Sequence, residues 1–399
     1  MMNSPQDVCP VCNGKEIART VERLRLPAMQ NHVYRSRDLA IAANAGRLCL
    51  AVCANCGFAF NGAFDAALLH YDQDYDNSVP SAVTGDYYQQ IARYLKDKYL
   101  PDDGLILDIG CGKGTFLKTM CRQFPQVRGV GIDPSYEGPE QDPELPLRFI
   151  RDFFAETHVD ERPKLIICRH VLEHIERPIA FLQSIRSALR VYPEVPVFFE
   201  VPDLGWIIRN QAFWDFCYEH CNYFTPTSLS NAMSLSGFRP TESRSAFGDQ
   251  YLWIEAVTSD AAPAPPLMDR GQDLIREIQS YVGSENSLIA RAQQTLNTAK
   301  ENDRQIAIWG MATKGILFSC LVDPTRTLFD YCVDVNQNKQ GCYVPSTGHR
   351  IDSPEILRQS AGRPLEIVVM NPNYLGEIKA KCYELGLSAT FMNANGETV

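Results

Sequence analysis

The sequence predicts an α/β protein in which a doubly wound sheet is preceded by a small cysteine-rich module and followed by a second, smaller α/β unit. Three observations support this fold class. Apolar strands alternate with helical patterns over residues 101–257. The first strand, residues 105–108, runs into a glycine-rich turn and then a helix. A second strand–turn–helix pattern begins near residue 305, after a stretch rich in proline and alanine.

We divide the chain into a module at residues 1–65, a sheet domain at 66–258, a linker with a long helix at 259–302, and a C-terminal α/β domain at 303–399. Composition predicts the linker over residues 258–271 and a helix from about 272 to 302, which Gly283 could break. Further strands are predicted at the following positions: 127–132, 165–168, 195–201, 305–310, 329–333, 366–370 and, as a late edge strand, 251–257.

Composition excludes several classes of protein. The chain has 399 residues, of which 45% are hydrophobic and 22% charged, as in globular proteins. Its net charge of −10 argues against nucleic-acid or anionic-membrane partners, and no apolar run reaches the roughly 20 residues that span a bilayer. The sequence opens without a basic segment followed by an apolar one. We therefore expect a cytoplasmic protein with reduced cysteines.

The module contains two Cys-x-x-Cys pairs, Cys9 with Cys12 and Cys53 with Cys56. Each pair presents two thiolates from one turn, so together they predict one structural Zn²⁺ site. The 40 residues between the pairs exceed the common spacing and should hold strands of their own. Cys49 is a possible spare ligand, though a strand residue fits its position better. The alternative is two unrelated thiol pairs.

In the sheet domain, Asp108 ends the first strand and is followed by Gly110, Gly112 and Gly114. Glycines let the backbone approach a ligand, and the N–H groups of the turn face it. The spacing differs from that of dinucleotide binders, and the acid suits a ligand with an amino group better than a pyrophosphate. Asp133 ends the next strand, where it could bind a ribose diol. This set resembles the S-adenosylmethionine (SAM) site of class I methyltransferases. Two further residues are assigned to that site, Asp152 and His170.

Two polar clusters could carry chemistry. His170 and His174 follow the strand that ends at residue 168, where ligands bind in open α/β sheets. We expect His174 to face the cleft, with a structural histidine as the alternative; a metal pair lacks an evident third ligand. In residues 217–225, Glu219 adjoins His220, and a carboxylate beside an imidazole can tune a general base. A packed loop with a buried ion pair, or a Cys₂His metal site, are the alternatives there.

The C-terminal unit has its own candidate site. Lys314 and Gly315 stand at the start of a predicted helix after Gly310, a geometry that favours phosphate or diphosphate. Asp334 ends the next strand, where a ribose-binding acid would lie. A purely structural turn is the alternative.

The order of these parts and their motifs resembles the sugar C-methyltransferase family, which makes branched deoxysugars on nucleotide-diphosphate carriers. In that family a Tyr-His-Glu-His loop carries the catalytic histidine. Glu219 and His220 match its last two residues, while Cys217 replaces the first tyrosine. His174 matches the family's histidine after the fourth strand, and Tyr75 its active-site tyrosine ahead of the SAM motif.

The resemblance extends to the C-terminal pattern of Lys314, Asp334 and the triplet at residues 339–341, whereas residues 371–374 replace the family's Trp-Asn pair. It implies a class I methyltransferase domain and a Rossmann-like domain that binds the nucleotide part of a small-molecule substrate. The substrate-binding residues that we assign on this basis are Tyr71, Tyr218, Tyr223, Lys314, Gly315, Asp334 and Asn371.

We therefore expect a SAM-dependent methyltransferase that methylates a carbon next to a ketone on a nucleotide-linked sugar or a similar natural-product precursor. His220 would be the base, with Glu219 raising its pKa above the ordinary 6.5 or so, and His174 and Tyr75 would stabilise the enolate. The alternatives are O- or N-methylation on the same scaffold and a catalytically idle scaffold protein. The protein would be a monomer or a homodimer.

Overall fold

The computed structural model describes residues 6–192, 194–259, 271–360 and 362–399. Most of the predicted linker falls on residues 260–270, outside the described residues. The boundaries of the four parts therefore stay predictions, although the elements within each part are described below. Within the described ranges, no helix is both long and apolar enough to cross a membrane.

The N-terminal module is built on an antiparallel sheet. Its elements are β1 (Ile17–Pro27), α1 (Arg37–Ile41), β2 (Ala45–Cys53) and β3 (Ala59–Asn61). The prediction that the gap between the cysteine pairs holds strands is confirmed, and Cys49 is a buried residue of β2. The sheet has the order β1-β2-β3 and is completed by a short strand at Asn222–Tyr223, contributed by the next domain.

The central domain is a seven-stranded sheet with helices on both faces. Its elements are α2 (Ala82–Tyr99), β4 (Gly104–Ile109), α3 (Thr115–Gln123), β5 (Val127–Ile132), β6 (Leu147–Ile150), β7 (Leu165–Arg169), α4 (Pro178–Ala188), β8 (Pro196–Pro202), α5 (Leu204–Arg209), β9 (Asn222–Tyr223), α6 (Pro226–Leu235), β10 (Phe238–Ala246) and β11 (Tyr251–Thr258). The sheet order is β10-β11-β8-β7-β4-β5-β6. Strands β4 to β8 pair in parallel, as the fold-class prediction requires.

The prediction that residues 251–257 form an edge strand is wrong. β11 pairs antiparallel with β8 on one side and with β10 on the other, so β10 is the edge. β10 escaped prediction because most of its residues are exposed and polar, and the pairing shifts between Pro240 and Glu242. Proline and charge are typical of edge strands but mimic a loop in the sequence.

The C-terminal domain is a five-stranded parallel sheet. Its elements are α7 (Gly271–Glu301), β12 (Gln305–Trp309), α8 (Thr313–Val322), β13 (Tyr331–Val333), β14 (Ile351–Asp352), β15 (Leu365–Val369), α9 (Leu375–Glu384) and β16 (Ala389–Asn393). The order is β14-β13-β12-β15-β16. Gly283 does not break α7, because it is exposed while buried residues on either side, such as Ile278 and Leu288, hold the helix down.

Helix α7 joins the ends of the molecule into one core. Its apolar stripe packs in a cluster that includes β1, β2 and β12. Arg23 of β1 forms a buried ion pair with Glu285 of α7, and its guanidinium also donates to the carbonyl oxygens of Phe213 and Phe216. The segment that leads to residues 217–221 is therefore fixed by both the module and the long helix.

Candidate active site

The glycine turn after β4 lies at the carboxyl edge of the central sheet. Gly110, Gly112 and Gly114 have φ of +76°, +54° and +75°, which favour glycine. A Cβ at Gly110 would lie 2.1 Å from Cγ2 of Val171, so the turn packs on the segment after β7. A Cβ at Gly112 would meet no heavy atom of the described residues within 4 Å. The turn is therefore open at Gly112, where a ligand could lie.

Two acids flank this turn and differ in their partners. Asp133 accepts hydrogen bonds from the Gly112 N–H at 2.8 Å and from the N–H and hydroxyl of Ser135 at 2.7 and 2.6 Å. Asp108 is 3% exposed. Burial raises its pKa to about 7; the charge of Arg169 opposes this shift and that of Asp133 adds to it. A cationic ligand would restore the charged form, as expected of an acid facing the amino group of SAM.

Asp152 is exposed and lies beyond the end of β6, where its Oδ1 accepts the N–H of Phe153 at 2.7 Å. Since β6 pairs in parallel with β5, Asp152 and Asp133 follow neighbouring strands at the same edge of the sheet. Phe153 is 68% exposed. Our reading of the sequence missed this ring, although a large apolar residue after a strand-end acid is a visible signal. An exposed ring here is available to stack on a ligand.

A buried cluster of charges lies behind the ends of β7 and β8. Glu200 is fully buried and accepts hydrogen bonds from Arg169 at 2.9 and 3.2 Å, from Trp253 Nε1 at 2.5 Å and from the Tyr87 hydroxyl. His170 Nε2 lies 2.8 Å from the same carboxylate. Burial disfavours the charge of Glu200, but Arg169 and His170 outweigh it and hold the pKa of the carboxyl well below its ordinary value.

His170 is a cation in this cluster. Its Nδ1 lies 3.5 Å from Glu173, so both ring nitrogens face carboxylates. Burial disfavours the charge of the imidazole, yet Glu173 and Glu200 raise its pKa to about 9. Because these carboxylates occupy both nitrogens, the ring is not free for the cofactor role that we expected of it.

The loop at residues 217–225 is docked into the N-terminal module. Its strand β9 pairs with β3, and Asn222 Nδ2 donates to the carbonyl oxygens of Leu172 and Ile175 at 3.0 and 2.7 Å. The Tyr218 hydroxyl accepts the Asp65 N–H at 2.7 Å, and the Tyr223 hydroxyl donates to the Cys217 carbonyl at 2.8 Å. Both tyrosines are buried. These contacts give both tyrosines a packing role.

Glu219 is held by the module rather than by its neighbour His220. It is 1% exposed and accepts the backbone N–H of Gln30 and, at 3.2 Å, that of Asn31. Its other oxygen accepts the Tyr75 hydroxyl at 3.0 Å. Burial and the charge of Glu219 raise the pKa of Tyr75, which therefore stays a hydrogen-bond donor. Glu219 and Tyr75, which were predicted separately as catalytic residues, therefore form one anchored hydrogen-bond unit.

His174 and His220 face each other, with ring centroids 4.8 Å apart. His174 Nδ1 lies 3.0 Å from the carbonyl oxygen of Glu219 and 3.0 Å from the hydroxyl of Tyr71. A carbonyl only accepts, so Nδ1 carries the proton and Nε2 is the acceptor nitrogen of the neutral ring. The structure thus brings Tyr71, His174 and His220 together, although they are more than 100 residues apart at the extremes.

The expected rise in the pKa of His220 is wrong. Burial, with the neighbouring His174 as the next cause, lowers the pKa of the His220 imidazole to about 3, and the carboxylate that opposes this shift is Glu173, not Glu219. The Glu219 side chain is turned away toward the module. His220 is therefore neutral at physiological pH and able to accept a proton.

The candidate site of the C-terminal domain is occupied by the protein itself. Lys314 forms an ion pair with Asp215 and lies 4.8 Å from the centre of the Trp206 ring. Gly315 packs so closely that a Cβ would lie 2.1 Å from the carbonyl oxygen of Gly310. The expected strand–turn–helix is present, and its lysine contacts the central domain.

Asp334 and Asn371 also have partners. Asp334 is buried and its Oδ1 accepts the Asn336 N–H at 2.8 Å. Asn371 exchanges two hydrogen bonds with the amide of Gln250, at 3.0 and 3.2 Å. Asn371 therefore joins the C-terminal domain to the central domain.

Asn31 links all three parts of the chain, and no feature of the sequence pointed to it. Its N–H donates to Glu219, its Nδ2 donates to Thr313 Oγ1 at 3.0 Å, and its Oδ1 accepts Lys339 Nζ at 3.0 Å. Lys339 is 4% exposed, and burial lowers its pKa against the pull of Asp334 and other nearby acids. Such a node arises only from folding, since its members lie up to 308 residues apart.

The four predicted metal ligands of the module converge. The Sγ atoms of Cys9 and Cys56 are 3.7 Å apart, those of Cys12 and Cys53 are 3.5 Å apart, and all four lie within 4.8 Å of one another. A tetrahedral zinc ion with Zn–S bonds of about 2.3 Å places its sulfurs about 3.8 Å apart. All fourteen cysteines are free of disulfides. The donor set therefore fits Zn²⁺.

Two sequence families match this chain. The family described as a methyltransferase domain matches residues 81–243, and the C-methyltransferase C-terminal domain family matches residues 273–390. The C-methyltransferase NovU of Streptomyces niveus is 24% identical over 298 residues, which cover 70% of this chain and 69% of that protein. This match is long enough to require more than one of the chain's domains.

Shorter matches cover less than half of each relative. The 2-ketoarginine methyltransferase of Streptomyces arginensis is 32% identical over 96 residues, 21% of this chain and 28% of its own length. The ubiquinone biosynthesis O-methyltransferase of Yersinia enterocolitica is 30% identical over 122 residues, 28% of this chain and 46% of its own length.

A solved 1,6-didemethyltoxoflavin-N1-methyltransferase from Burkholderia thailandensis aligns with 51% of this chain and 96% of its own, with a TM-score of 0.35 and 20% identity.

Proposed function

Because the chain belongs to the SAM-dependent C-methyltransferases, we propose that it methylates a carbon next to a ketone on a nucleotide-linked sugar or a similar natural-product precursor. The observation that carries this proposal is the meeting of His220 with His174 and Tyr71, all three partly exposed. A neutral imidazole at a partly exposed position can take a proton from carbon, the difficult step of such a reaction. Oxygen and nitrogen acceptors need far less help from a base.

SAM supplies the methyl group as an activated electrophile when it is bound. On the proposed assignment, Asp108 holds its amino group, Asp133 its ribose, and the open turn at Gly112 receives the ligand between them. The support is the open space at Gly112 and the raised pKa of Asp108, about 7. Asp152 and Phe153 would border the same site.

His220 acts on the substrate. The C–H bond next to the carbonyl breaks, its proton moves to a ring nitrogen of His220, and the electron pair passes to the carbonyl oxygen as an enolate. The same carbon then forms a bond to the methyl group, whose former bonding pair stays on sulfur. A positioned base contributes about 10²- to 10⁴-fold in rate. His220 returns its proton to solvent after product release.

Tyr71 is placed to help the enolate oxygen as it gains charge, and His174, whose Nδ1–H faces the Glu219 carbonyl, holds Tyr71 and His220 in position. Burial, together with the charge of Glu219, raises the pKa of Tyr71 well above its usual range, so the phenol keeps its proton as a donor. Hydrogen-bond donors that are fixed in advance act without reorganisation during the reaction. Tyr75, whose hydroxyl is committed to Glu219, serves in this proposal to hold the loop in place.

The C-terminal domain would bind the nucleotide part of the substrate and so align the reacting carbon. The match of residues 273–390 to a C-methyltransferase C-terminal domain supports this role. Lys314 stands at the start of α8 and would exchange Asp215 for a diphosphate.

We also propose that Cys9, Cys12, Cys53 and Cys56 hold one structural Zn²⁺. Ligation of this kind is worth roughly 10–16 kcal/mol in small zinc peptides. Cys12→Ser should therefore unfold the module, and with it the support of the loop at residues 217–225. Elemental analysis should find about one zinc per chain in the purified protein; a zinc-free, fully folded protein would exclude the site.

The test of carbon chemistry uses hydrogen exchange in D₂O, followed by mass spectrometry. Keto-deoxysugars linked to thymidine, uridine, guanosine and cytidine diphosphate are incubated with the protein and S-adenosylhomocysteine, so that no methyl transfer occurs. We expect deuterium to enter one member of the panel, and His220→Asn to slow this at least about a hundredfold while SAM binding is kept. Methyl transfer from SAM to oxygen or nitrogen without any exchange would show that the proposal is wrong and favour the O- or N-methylation alternative.

A further inference from the structure

Glu173 is a buried carboxylate without an ordinary hydrogen bond. It is 1% exposed, and within the described residues neither of its oxygens has a hydrogen-bond partner. Such a group is costly to bury and calls for an explanation. Three atoms lie within 4.8 Å of one another: one oxygen of Glu173, one ring nitrogen of His174 and one ring nitrogen of His220. Glu173 therefore lies against the two histidines that face each other.

Glu173 is held in position by a series of ion pairs that leads to it from Arg169. Arg169, Glu200, His170 and Glu173 alternate in charge, and each contact is short: 2.9 Å from Arg169 to Glu200, 2.8 Å from Glu200 to His170 and 3.5 Å from His170 to Glu173. The nearby cations lower the pKa of Glu173 against its burial, so the carboxylate is charged. This series of alternating charges ends at Glu173, and the rings of His174 and His220 both lie within reach of its carboxylate.

Glu219, the other carboxylate near the two histidines, has no oxygen free to contact their rings. Both of its oxygens already accept hydrogen bonds, from the Gln30 and Asn31 N–H groups and from Tyr75, and only its backbone carbonyl reaches His174. The two carboxylates near the histidines thus have opposite surroundings. Glu219 is saturated and anchors the loop, whereas Glu173 is charged, has His170 at 3.5 Å and lies within reach of His174 and His220.

We propose that Glu173 is the positioning carboxylate of His220, an inference that rests on the proposed function of that histidine. It orients the ring, so that the nitrogen facing away from Glu173 meets the substrate, and it stabilises the imidazolium that forms when His220 takes the proton. The contact shortens when the substrate closes the site, as catalytic hydrogen bonds often do. The charge of His170 keeps Glu173 from being protonated before that step.

The neighbouring basic side chains around His220 act against the imidazolium. His174, His170 and Lys314 all disfavour its charge, and Glu173 is the acid that opposes them. Without Glu173, protonation of His220 would face only burial and repulsion. The same three side chains, Glu173, His174 and His220, are also of a type that divalent ions bind, and the experiment below separates the two roles.

The first readout needs no substrate. Long-range ¹H–¹⁵N correlation spectra of the zinc-loaded protein at pH 7.5 report the tautomer of each neutral imidazole, and His220→Asn assigns the signal. We expect one dominant tautomer in the parent protein. In Glu173→Gln the ratio of tautomers should change by about tenfold or more, the scale of a hydrogen bond to a charged group. Glu176→Gln, an exposed acid three residues further along, is the matched control and should leave the ratio unchanged.

The second readout is kinetic and uses the nucleotide-linked ketone that exchanges deuterium. Glu173→Gln should lower kcat about 10- to 100-fold with little change in KM or in SAM affinity, whereas Glu173→Asp should recover part of the loss. Near-ultraviolet circular dichroism confirms that each variant is folded. If His220→Asn abolishes exchange while Glu173→Gln matches Glu176→Gln in both readouts, this inference fails and the proposed function stands.

A third measurement tests the metal role. Zn²⁺ is added to protein in which the four-cysteine site is already full. If the signals of His174 and His220 shift at one further equivalent in the parent protein but not in Glu173→Gln, Glu173 is a metal ligand and the inference is overturned. If none of the four nucleotide-linked sugars is turned over, the tautomer readout still decides the role of Glu173.

Discussion

The central and C-terminal domains each begin with a strand, a glycine turn and a helix, yet the two turns face different surroundings. In the central domain the turn is open: a Cβ at Gly112 would meet nothing in the described residues within 4 Å. In the C-terminal domain the corresponding turn is filled: Gly315 lies against Gly310, and Lys314 is paired with Asp215. A glycine turn is therefore a site only where the fold leaves space above it.

The acids at the strand ends differ in the same way. Asp108 is buried and its pKa is raised to about 7, as for a group that lacks its ionic partner. Asp334 is buried too, but its carboxylate caps the Asn336 N–H and lies in the field of Lys339. The first acid is prepared for a cation from outside, whereas the second is already compensated within the protein.

The largest effect should come from closing the open turn. Gly112→Val places a branched side chain in the space assigned to SAM and should weaken SAM binding at least about a hundredfold, or about 2.7 kcal/mol. Part of any effect is backbone strain, because φ is +54° at Gly112. Gly386→Val is the control, since Gly386 has φ of +71° and equally open space in the C-terminal domain. Calorimetry that finds equal SAM affinity in both variants would place the SAM site elsewhere.

The regions that could be predicted from the sequence are those whose members are neighbours in the chain. The glycine turn, the cysteine pairs and most strands are local patterns, so spacing and periodicity were enough to find them. Glu219 and His220 are also neighbours, and for that reason we expected them to act as a pair. The fold turns one toward the module and the other toward His174. Adjacent residues in a loop need not share a direction, and no pattern in the sequence encodes it.

The parts that could not be predicted depend on contacts between distant segments. Asn31 bridges Glu219, Thr313 and Lys339, and each of these contacts exists only after the three domains pack. Asn371 was expected at a substrate but pairs with Gln250 across a domain boundary. Glu173 lies between His170 and His174 in the sequence. Its importance depends on His220, 47 residues away, and on the burial that leaves its oxygens without a hydrogen bond in the described residues.

A second prediction concerns pH and sharpens the contrast between the two acids. With its pKa raised to about 7 by burial, Asp108 is largely protonated below that pH, and a cationic ligand must then displace the proton. SAM affinity should therefore rise with pH and be about tenfold weaker at pH 6 than at pH 8. In Asp108→Asn this dependence should vanish and affinity should stay low. A parent protein with the same affinity at both pH values would show that Asp108 does not face the cation.

The smallest effect is expected at the filled turn, and it tests whether that turn can open. The ion pair between Lys314 and Asp215 is partly buried, with side chains 19% and 14% exposed. If Lys314 leaves Asp215 to bind a diphosphate, then Asp215 competes with the substrate. Asp215→Asn should therefore lower KM for the nucleotide-linked ketone a few-fold, whereas Lys314→Ala should raise it by about tenfold, the scale of a charged hydrogen bond, with kcat changed little in both. Opposite shifts in KM are the outcome that a purely structural ion pair cannot give, because loss of either partner would then disturb the same contact in the same direction. Parallel shifts, or a loss of kcat alone in Lys314→Ala, would mean that the C-terminal turn serves only to dock the domains and that the nucleotide must be bound by other residues.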